Sequence, residues 1–282
     1  MSLILSLLVF GGKMHVPKVL EIKEVFEESE TVKTFIFDWD MNSEDIIPKP
    51  GQFMMLWNFE DEKPMSISSI DPVKGELGIS IKKVGEFTSN VHKLGKGDKL
   101  GLRGPYGRGF DLKGSKILAV GGGIGMAPIA SLVDYALIRG VKVDVVSASL
   151  TLDELLFVNR MKEAGACVFT CTDDGTCGFQ GFATDRVEAI LMDHDYDMIV
   201  TCGPELMMSG ILEMAKKQEI PAQFSMERWM KCAMGICGQC CVDDTGWRVC
   251  VEGPVFWSHE VNLIKEFGEY RRDSSGTRNY YK

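Results

Sequence analysis

The chain has 282 residues, of which 45% are apolar and 25% are charged, and its formal net charge is −9 at pH 7. These values are typical of a globular protein with one large or two medium domains and a small appendage. The negative charge argues against a nucleic-acid-binding protein, because such proteins carry basic surfaces.

The N-terminus contains one apolar run, "LILSLLVF" (Leu3 to Phe10), which is far shorter than the roughly 20 residues of a membrane helix. No Lys or Arg precedes it, and the following Gly-Gly-Lys is a poor cleavage site, so the pattern disfavours a signal peptide. We interpret residues 1–15 as a leader, with Met14 as an alternative start. These features predict a cytoplasmic protein that does not associate with membranes and whose nine cysteines are reduced.

Residues 16–113 are rich in short strand-like runs separated by Pro-Gly, Asp-Pro and Gly-Lys-Gly-Asp turn signals. The runs are "VLEIKEVF", "VKTFIFDW", "GQFMMLWN", "MSISSI", "ELGISIKKV" and "DKLGLRG". This pattern predicts an antiparallel barrel or sandwich.

Residues 114–222 alternate between strand-like and helix-like patterns. The strands are "KILAVGG", "VKVDVVSA", "CVFTCT" and "YDMIVTCG"; the helices are "MAPIASLVDYALIRG", "LDELLFVNRMKEAG", "ATDRVEAILMD" and "PELMMSGILEMAKKQ". Such alternation predicts βαβ units around a parallel sheet. Residues 223–282 are too few to form a core alone, and they hold a dense group of cysteines.

Two loops follow strands of this α/β segment. In "AVGGGIGMAP" a glycine loop opens a helix, where free N–H groups can bind a phosphate, although Met126 or Pro128 stands where the third Gly of the G-x-G-x-x-G pattern belongs. A plain tight strand-to-helix turn remains an alternative. The second loop, Cys202-Gly203-Pro204, also ends a parallel strand, which is where open α/β sheets bind ligands.

The cysteine spacing Cys232-x4-Cys237-x2-Cys240 is that of plant-type [2Fe–2S] proteins, and Cys250 is the best fourth ligand. The adjacent Cys241 is expected to turn away, because neighbours in an extended chain face opposite sides. A zinc site with the same four ligands is an alternative. Three further cysteines on or just beyond an apolar strand are expected to be buried: Cys167, Cys171 and Cys177.

Five motifs stand in a fixed order: "KPMSI", "GEFT", "GPYGRGF", "GGGIGMAP" and "CGPELMM". Together they resemble the ferredoxin–NADP reductase superfamily over nearly the whole chain from Val16. The resemblance implies an antiparallel β-barrel for FAD (16–113), a parallel-sheet α/β domain for NAD (114–222) and a small [2Fe–2S] subdomain (223–282).

The resemblance also implies site residues. Those for the flavin are Lys63, Pro64, Met65, Ser66, Ser80, Ile81, Lys82, Phe87 and Thr88; those for the nucleotide are Gly121, Gly122, Gly123, Gly125, Asp173, Gly203 and Pro204. Cys202 is predicted to take part in catalysis. The chain departs from the family motif at Lys63, which replaces an Arg and its bidentate fork, and at Met65, which replaces a Tyr.

The C-terminal block, with its "GPVF" end and "YRRDSSG" tail, resembles the electron-transfer subunits of NAD-dependent dihydroorotate dehydrogenases. This implies a separate FMN-containing catalytic subunit, in a heterotetramer with two of each chain, and electron flow from FMN through [2Fe–2S] and FAD to NAD⁺. Two alternatives are a reductase subunit serving a hydrogenase, sulfite reductase or ferredoxin, and a zinc-stapled binding module without redox activity.

The nicotinamide cofactor is predicted to be NAD rather than NADP. From Val143 there is no Arg or Lys until Arg160, and Leu150 stands about where NADP-using relatives carry Arg. Asp173 and Asp174 would repel a 2′-phosphate and could accept hydrogen bonds from ribose hydroxyls, although Asp-Gly is also a turn signal.

Overall fold

The structure, a computed structural model, describes residues 16–41 and 47–281, so the leader predicted for residues 1–15 lies outside the described residues. The first part of the chain forms a seven-stranded antiparallel sheet in the order β1-β7-β4-β5-β6-β3-β2. Its elements are β1 (Lys18–Glu21), β2 (Glu24–Ser29), β3 (Val32–Asp38), β4 (Phe53–Trp57), β5 (Glu62–Asp71), β6 (Glu76–Lys82), helix α1 (Glu86–Val91) and β7 (Lys99–Tyr106).

The two edge strands of this sheet, β1 and β2, are consecutive in the chain, and the two residues that connect them hydrogen-bond to opposite ends of the strand order. The backbone N–H of Ile22 donates to the Asp98 carbonyl beside β7, while that of Lys23 donates to the Ile36 carbonyl in β3, both at 2.8 Å. Large side chains fill the interior, among them Phe35, Phe37, Met54, Leu56, Leu77 and Ile79. Each such side chain contributes about 1.5–3 kcal/mol on burial. The predicted antiparallel barrel is confirmed.

A second seven-stranded sheet follows, in the order β11-β10-β9-β8-β12-β13-β14. Its strands are β8 (Lys116–Gly122), β9 (Lys142–Ser149), β10 (Cys167–Thr172), β11 (Phe179–Gln180), β12 (Met198–Cys202), β13 (Ala222–Ser225) and β14 (Val255–Trp257). The helices are α2 (Met126–Ile138), α3 (Val158–Ala164), α4 (Ala183–Asp193) and α5 (Glu205–Lys217). Residues of α2 and α3 share one core with the sheet and those of α4 and α5 another, so both faces are covered. The pairs are parallel except β13 with β14. The predicted α/β architecture is confirmed.

One predicted helix is shorter in the structure than the sequence indicated. The run "LDELLFVNRMKEAG" forms a short 3₁₀ turn at Leu152–Glu154 and then breaks, because Leu155 is extended and Phe157 takes a left-handed conformation with φ of 59°. Helix α3 begins only at Val158. The break lets Leu156 and Phe157 insert into the core with α2, so tertiary packing overrides the helical pattern.

The C-terminal segment does not pack as an isolated unit. Its strand β14 joins the α/β sheet, and Cys240, Cys250 and Phe256 belong to the same core as Val120 of β8. Helix α6 (Ser258–Val261) and a hairpin of β15 (Tyr270–Arg272) with β16 (Arg278–Tyr280) complete the chain. The cysteine-rich loop is therefore held against larger, rigid elements.

The barrel and the α/β sheet meet at β5. Helix α2 packs against β5, and Arg160 of α3 donates to the carbonyl of Ser68 on β5 at 3.1 Å. This contact places the glycine loop at the start of α2 beside the barrel strands. Among the described residues, no helix is both long and apolar enough to span a membrane.

Candidate functional site

The loop that carries the first three predicted ligands turns through left-handed conformations. Ala233, Gly235 and Gly238 have φ values of 60°, 76° and 70°. Such conformations suit Gly and cost other residues energy, so the buried Ala233 is held there by its surroundings. The turn directs backbone N–H groups at sulfur: the Cys237 N–H donates to Sγ of Cys232 at 3.4 Å. The fold of this loop therefore brings Cys232 and Cys237 together.

A short antiparallel turn brings the other two predicted ligands together. The Val249 N–H donates to the Cys240 carbonyl at 3.1 Å, and Cys241 bridges Arg248 across the turn. Just beyond it, the Cys250 N–H donates to Sγ of Cys240 at 3.4 Å. Cys240 and Cys250 are buried, whereas Cys237 is exposed and Cys232 is half-buried. The site thus has a buried pair and a more accessible pair.

Hydrogen bonds to sulfur favour thiolates, the form that binds metals. A hydrogen bond from the Cys250 thiol lowers the pKa of Cys240 to about 6. For Cys232, burial acts to raise the pKa, but N–H groups led by that of Cys237 outweigh it and lower the pKa to about 7. The same contact with Cys240 raises the pKa of Cys250.

The four thiols lie in two pairs. Within the two described ranges, no group of three or more Cys, His, Asp or Glu side chains is gathered around a single metal position. A two-iron cluster divides four cysteines between its two irons, and a zinc site takes all four ligands around one centre. Cys241 is half-buried, and burial raises the pKa of its thiol. Of the two candidates for the fourth ligand, Cys250 is the one whose N–H donates to the Cys240 sulfur.

Two arginines hold the cysteine loop through its carbonyl groups. Arg248 donates to the Gly235 carbonyl at 3.1 Å and pairs with Glu252. Arg103, on barrel strand β7, donates to the Cys232 carbonyl at 3.1 Å. The second contact joins the predicted cluster loop to the predicted flavin domain.

The predicted flavin residues lie on three adjacent barrel elements. Lys63, Pro64, Met65 and Ser66 are on β5, Ser80, Ile81 and Lys82 on the neighbouring β6, and Phe87 and Thr88 on α1. Although β5 is a central strand of the sheet, all four of its predicted residues are only half-buried. This strand offers a surface that a planar ring can cover.

Several of these side chains already have partners within the protein. Lys63 forms an ion pair with Asp61. The Thr88 hydroxyl accepts hydrogen bonds from the N–H groups of Val84, at 2.9 Å, and Gly85, at 3.1 Å. The buried Ser80 hydroxyl bonds with Ser68 and Thr34. Ser80 and Thr88 therefore use their hydroxyls for hydrogen bonds within the barrel domain.

The predicted nucleotide glycines lie where two loops touch. A Cβ on Gly125 would come within 2.3 Å of the Cys202 carbonyl oxygen, and one on Gly203 would lie 2.9 Å from the Gly122 nitrogen. Similar clashes would occur at Gly121 with Met126 and at Gly122 with Pro204. Gly123, with φ of 53°, has open space where its Cβ would stand. Most of these glycines therefore allow the two loops to pack, and Gly123 presents backbone outward.

Cys202 ends β12 directly beside Gly121 of β8. Burial raises the pKa of its thiol to about 12, so the group is neutral near pH 7. A neutral thiol can pack against a ring or donate a weak hydrogen bond, but it is a poor base.

Asp173 lies beyond the end of β10, and its N–H donates to the Ser149 carbonyl at 3.2 Å. Asp173 therefore lies next to the strand end that precedes the exposed Leu150.

Sequence reasoning missed three charged residues that organise this region. They are Glu62, Arg103 and Arg228, the last of which pairs with Glu205 and Glu266. Glu62 and Arg103 directly precede the motifs "KPMS" and "GPYG", so the sequence indicated that they lie near predicted site residues. It did not indicate that the two side chains pair across the barrel. The expectation for the other cysteines was correct for Cys171, which is buried, and wrong for Cys167, which is exposed, and for Cys177, which is only half-buried. Cys167 and Cys171 lie on the same face of β10, but its outer neighbour β11 pairs only with the last two residues, Cys171 and Thr172.

Comparison with known proteins agrees with this geometry. The family described as the iron-sulfur cluster binding domain of dihydroorotate dehydrogenase B matches residues 227–262, which include all four predicted ligands. A protein of Methanothermobacter thermautotrophicus, named as the electron transfer subunit of dihydroorotate dehydrogenase B (NAD(+)), is 59% identical over 94% of this chain and 98% of its own. A protein of the same name from Methanocaldococcus jannaschii is 47% identical over 95% of this chain and 100% of its own.

Solved structures show the same fold. The NADH-dependent reduced ferredoxin-NADP oxidoreductase of flavin-based electron bifurcation matches with a TM-score of 0.78 and 25% identity, over 89% of this chain and 93% of that chain. A ferredoxin NADP+ reductase of Neisseria gonorrhoeae matches with a TM-score of 0.60 and 19% identity, over 71% of this chain and 91% of its own.

The fold and the cysteine loop define a reductase of the ferredoxin–NADP reductase class with an iron–sulfur domain. Within that class, the chain belongs to the family of electron transfer subunits of dihydroorotate dehydrogenase B (NAD(+)). The resemblance inferred from the motifs is confirmed.

Proposed function

We propose that this chain passes electrons from an FMN-containing dihydroorotate dehydrogenase subunit to NAD⁺, as part of pyrimidine biosynthesis. The observation that carries the proposal is the contact between the cysteine loop and the barrel. Arg103 of β7 holds the carbonyl of Cys232, while the half-buried flavin strand β5 lies in the same sheet. One chain thus brings together a site for one-electron transfer and a site for hydride transfer.

The chemistry of the three cofactors explains why one chain holds them. When bound, NAD exchanges a hydride, an iron–sulfur cluster exchanges single electrons, and a flavin does either. Family membership supports this set of FAD, an iron–sulfur cluster and NAD, as predicted, and it supports the oxidoreductase class. The protein contributes the arrangement: it binds, orients and spaces these groups.

For the individual sites, the proposal keeps the residues that the sequence indicated. Cys232, Cys237, Cys240 and Cys250 would hold the iron–sulfur cluster. Lys63 exchanges its ion pair with Asp61 for the FAD pyrophosphate, since it is a flexible cation on the half-buried strand. The glycine loop and the loop of Gly203 and Pro204 bind NAD, and Cys202 contacts the nicotinamide as a neutral thiol.

A surface beside the cysteine loop supports docking of the partner subunit. Ile236 lies between the predicted ligands with 79% of its surface exposed, and the exposed Val251 lies against the neighbouring Gly235. Exposed apolar side chains gathered in one place are typical of protein–protein contacts. We propose that the FMN subunit covers this apolar surface, and that two copies of each chain assemble.

The alternatives have less support. The relatives carry the name of the dihydroorotate enzyme, which favours that partner over a hydrogenase, a sulfite reductase or a ferredoxin. The matched domain is an iron–sulfur domain, which disfavours the zinc-stapled module. A cytoplasmic location is also part of the proposal, because a dense group of cysteines that binds a metal instead of forming disulfides is typical of a reducing compartment.

The test is to compare the purified chain with its complex with the FMN subunit. Alone, the chain should reduce artificial dyes with NADH and leave dihydroorotate unchanged. With the partner, dihydroorotate should reduce NAD⁺. Oxidation of dihydroorotate by the single chain would contradict the proposal.

Two substitutions test the docking surface. Ile236→Glu should weaken the complex and lower coupled turnover, while the isolated chain keeps its visible spectrum and its dye reduction with NADH. Val73→Glu is the matched control, since Val73 is 95% exposed in the barrel turn between β5 and β6. Equal effects of the two substitutions would contradict this surface.

A further inference from the structure

Arg103 makes an unusual connection for a barrel residue. Only 6% of its surface is exposed, and its Nη1 donates to the carbonyl oxygen of Cys232 at 3.1 Å, 129 positions further along the chain. Cys232 is the first predicted cluster ligand. A buried cation thus hydrogen-bonds to the backbone of a residue whose sulfur is assigned to iron.

The guanidinium is fixed by its other partners. Its Nε donates to Oε1 of Glu62 at 2.9 Å and its Nη2 to Oε2 at 2.5 Å, a bidentate pair, while Nη1 also donates to the Tyr106 hydroxyl at 2.9 Å. Bidentate pairs of this kind hold Arg in one geometry. Glu62 directly precedes Lys63 on β5. One ion pair therefore links the start of the flavin strand to the cluster loop.

We infer that Arg103 is a positioning residue: it fixes the Cys232 side of the iron–sulfur cluster against the flavin strand, and with Glu62 it sets the reduction potential of that cluster. This inference rests on the proposed function. Reduction adds a negative charge to the cluster, and a nearby buried cation stabilises that charge. Net charge and hydrogen bonding around the ligands are the means by which proteins adjust such potentials.

The charge balance gives the two partners opposite effects. Loss of the Arg103 cation leaves the Glu62 carboxylate unpaired near the cluster, which disfavours the added electron. Loss of the Glu62 charge leaves the Arg103 cation uncompensated, which favours it. A purely structural contact has no reason to produce shifts of opposite sign, because both changes break the same ion pair.

The chain offers a matched control at a second barrel-to-tail contact. Arg108 pairs with Glu260 and donates through Nε to the Val255 carbonyl at 2.7 Å. The chemistry is the same, an Arg–Glu pair plus a backbone carbonyl, but neither partner is a predicted ligand. Changing Arg108 therefore reports the effect of loosening the contact alone.

The experiment is an EPR-monitored redox titration of the purified full chain and its variants Arg103→Met, Glu62→Gln and Arg108→Met. The cluster potential should fall in Arg103→Met, rise in Glu62→Gln and stay unchanged in Arg108→Met. Arg103→Lys, which keeps the charge without the fork, should shift the potential less than Arg103→Met while its EPR line shape changes. This milder variant and Glu62→Gln keep the test decisive if Arg103→Met does not fold.

Shifts of the same sign in Arg103→Met and Glu62→Gln would overturn the inference, as would unchanged potentials or an equal shift in Arg108→Met. Iron and sulfide analysis of the unaltered protein separates this result from the proposed function. If the unaltered chain binds no cluster, the proposed function fails. If it binds a cluster whose reduction potential is unchanged in the Arg103 and Glu62 variants, only the inference about Arg103 is contradicted.

Discussion

Cys250 donates its backbone N–H to Sγ of Cys240 at 3.4 Å, although nine residues separate the two along the chain. The contact depends on the tight turn between them, in which Cys241 bridges Arg248. This hydrogen bond brings Cys250, and not Cys241, to the sulfur of Cys240. It is the basis of the first prediction.

Changing Cys250 to Ser should bleach the cluster spectrum or release iron, because an alcohol is a much poorer iron ligand than a thiolate. Cys241→Ser is the matched control and should keep the spectrum and the iron content. The measurement is the visible absorption together with iron analysis. Loss of the cluster in Cys241→Ser with retention in Cys250→Ser would show that the fourth ligand is misassigned.

Lys63→Ala should weaken flavin retention, because the FAD pyrophosphate loses its cation. We expect a decrease in affinity of about tenfold, for the loss of a charge-assisted hydrogen bond of about 1.5 kcal/mol. Lys74→Ala is the control, since Lys74 also pairs with an aspartate, Asp71, but in an exposed turn. The flavin released on denaturation should be FAD by chromatography; release of FMN would contradict the assignment.

NADH should be preferred over NADPH in kcat/KM. The exposed Leu150 and the nearby Asp173 offer no cation to a 2′-phosphate. Leu150→Arg should therefore raise relative use of NADPH by about tenfold or more, as one charge-assisted hydrogen bond allows. Ile138→Arg, at the far end of α2, should leave the ratio unchanged. A wild-type preference for NADPH would refute the prediction.

The pH dependence of NADH oxidation should show no inflection from Cys202 between pH 6 and 9. Burial raises the pKa of this thiol to about 12, so it stays protonated throughout that range. The measurement is a comparison of kcat/KM profiles for the unaltered chain and Cys202→Ser. An inflection in this range that disappears in Cys202→Ser would mean that the thiol ionises and acts as a base.

Arg228→Met should destabilise the fold by about 3–5 kcal/mol, the usual cost of removing one partner from a buried ion pair. Arg228 is buried and pairs with Glu205 at the start of α5, at 2.5 Å, and with Glu266 of the C-terminal segment, at 2.7 Å. Lys216→Met breaks an exposed pair with Glu213 and should cost about 0–1 kcal/mol. Denaturant unfolding compares the two variants, and equal losses would contradict the role of Arg228.

The sequence by itself determined the two sheet architectures, because each depends on local periodicity and turn residues. The alternation in "VKTFIFDW" and the Gly-terminated helix "MAPIASLVDYALIRG" reflect side-chain patterns that hold wherever the segment packs. It also determined the identity of the candidate cluster ligands, because the spacing of Cys232, Cys237 and Cys240 is a property of the chain. The ordered motifs determined the family for the same reason.

Tertiary structure decided what depends on residues distant in sequence. The helix pattern from Leu152 breaks because the core takes Leu156 and Phe157. The glycines allow two loops to pack because of contacts between distant segments, which no local pattern encodes. The same is true of Arg103, which pairs with Glu62 and the Cys232 carbonyl. Periodicity reports which face of an element is buried, but only the packed fold determines which partner that face meets.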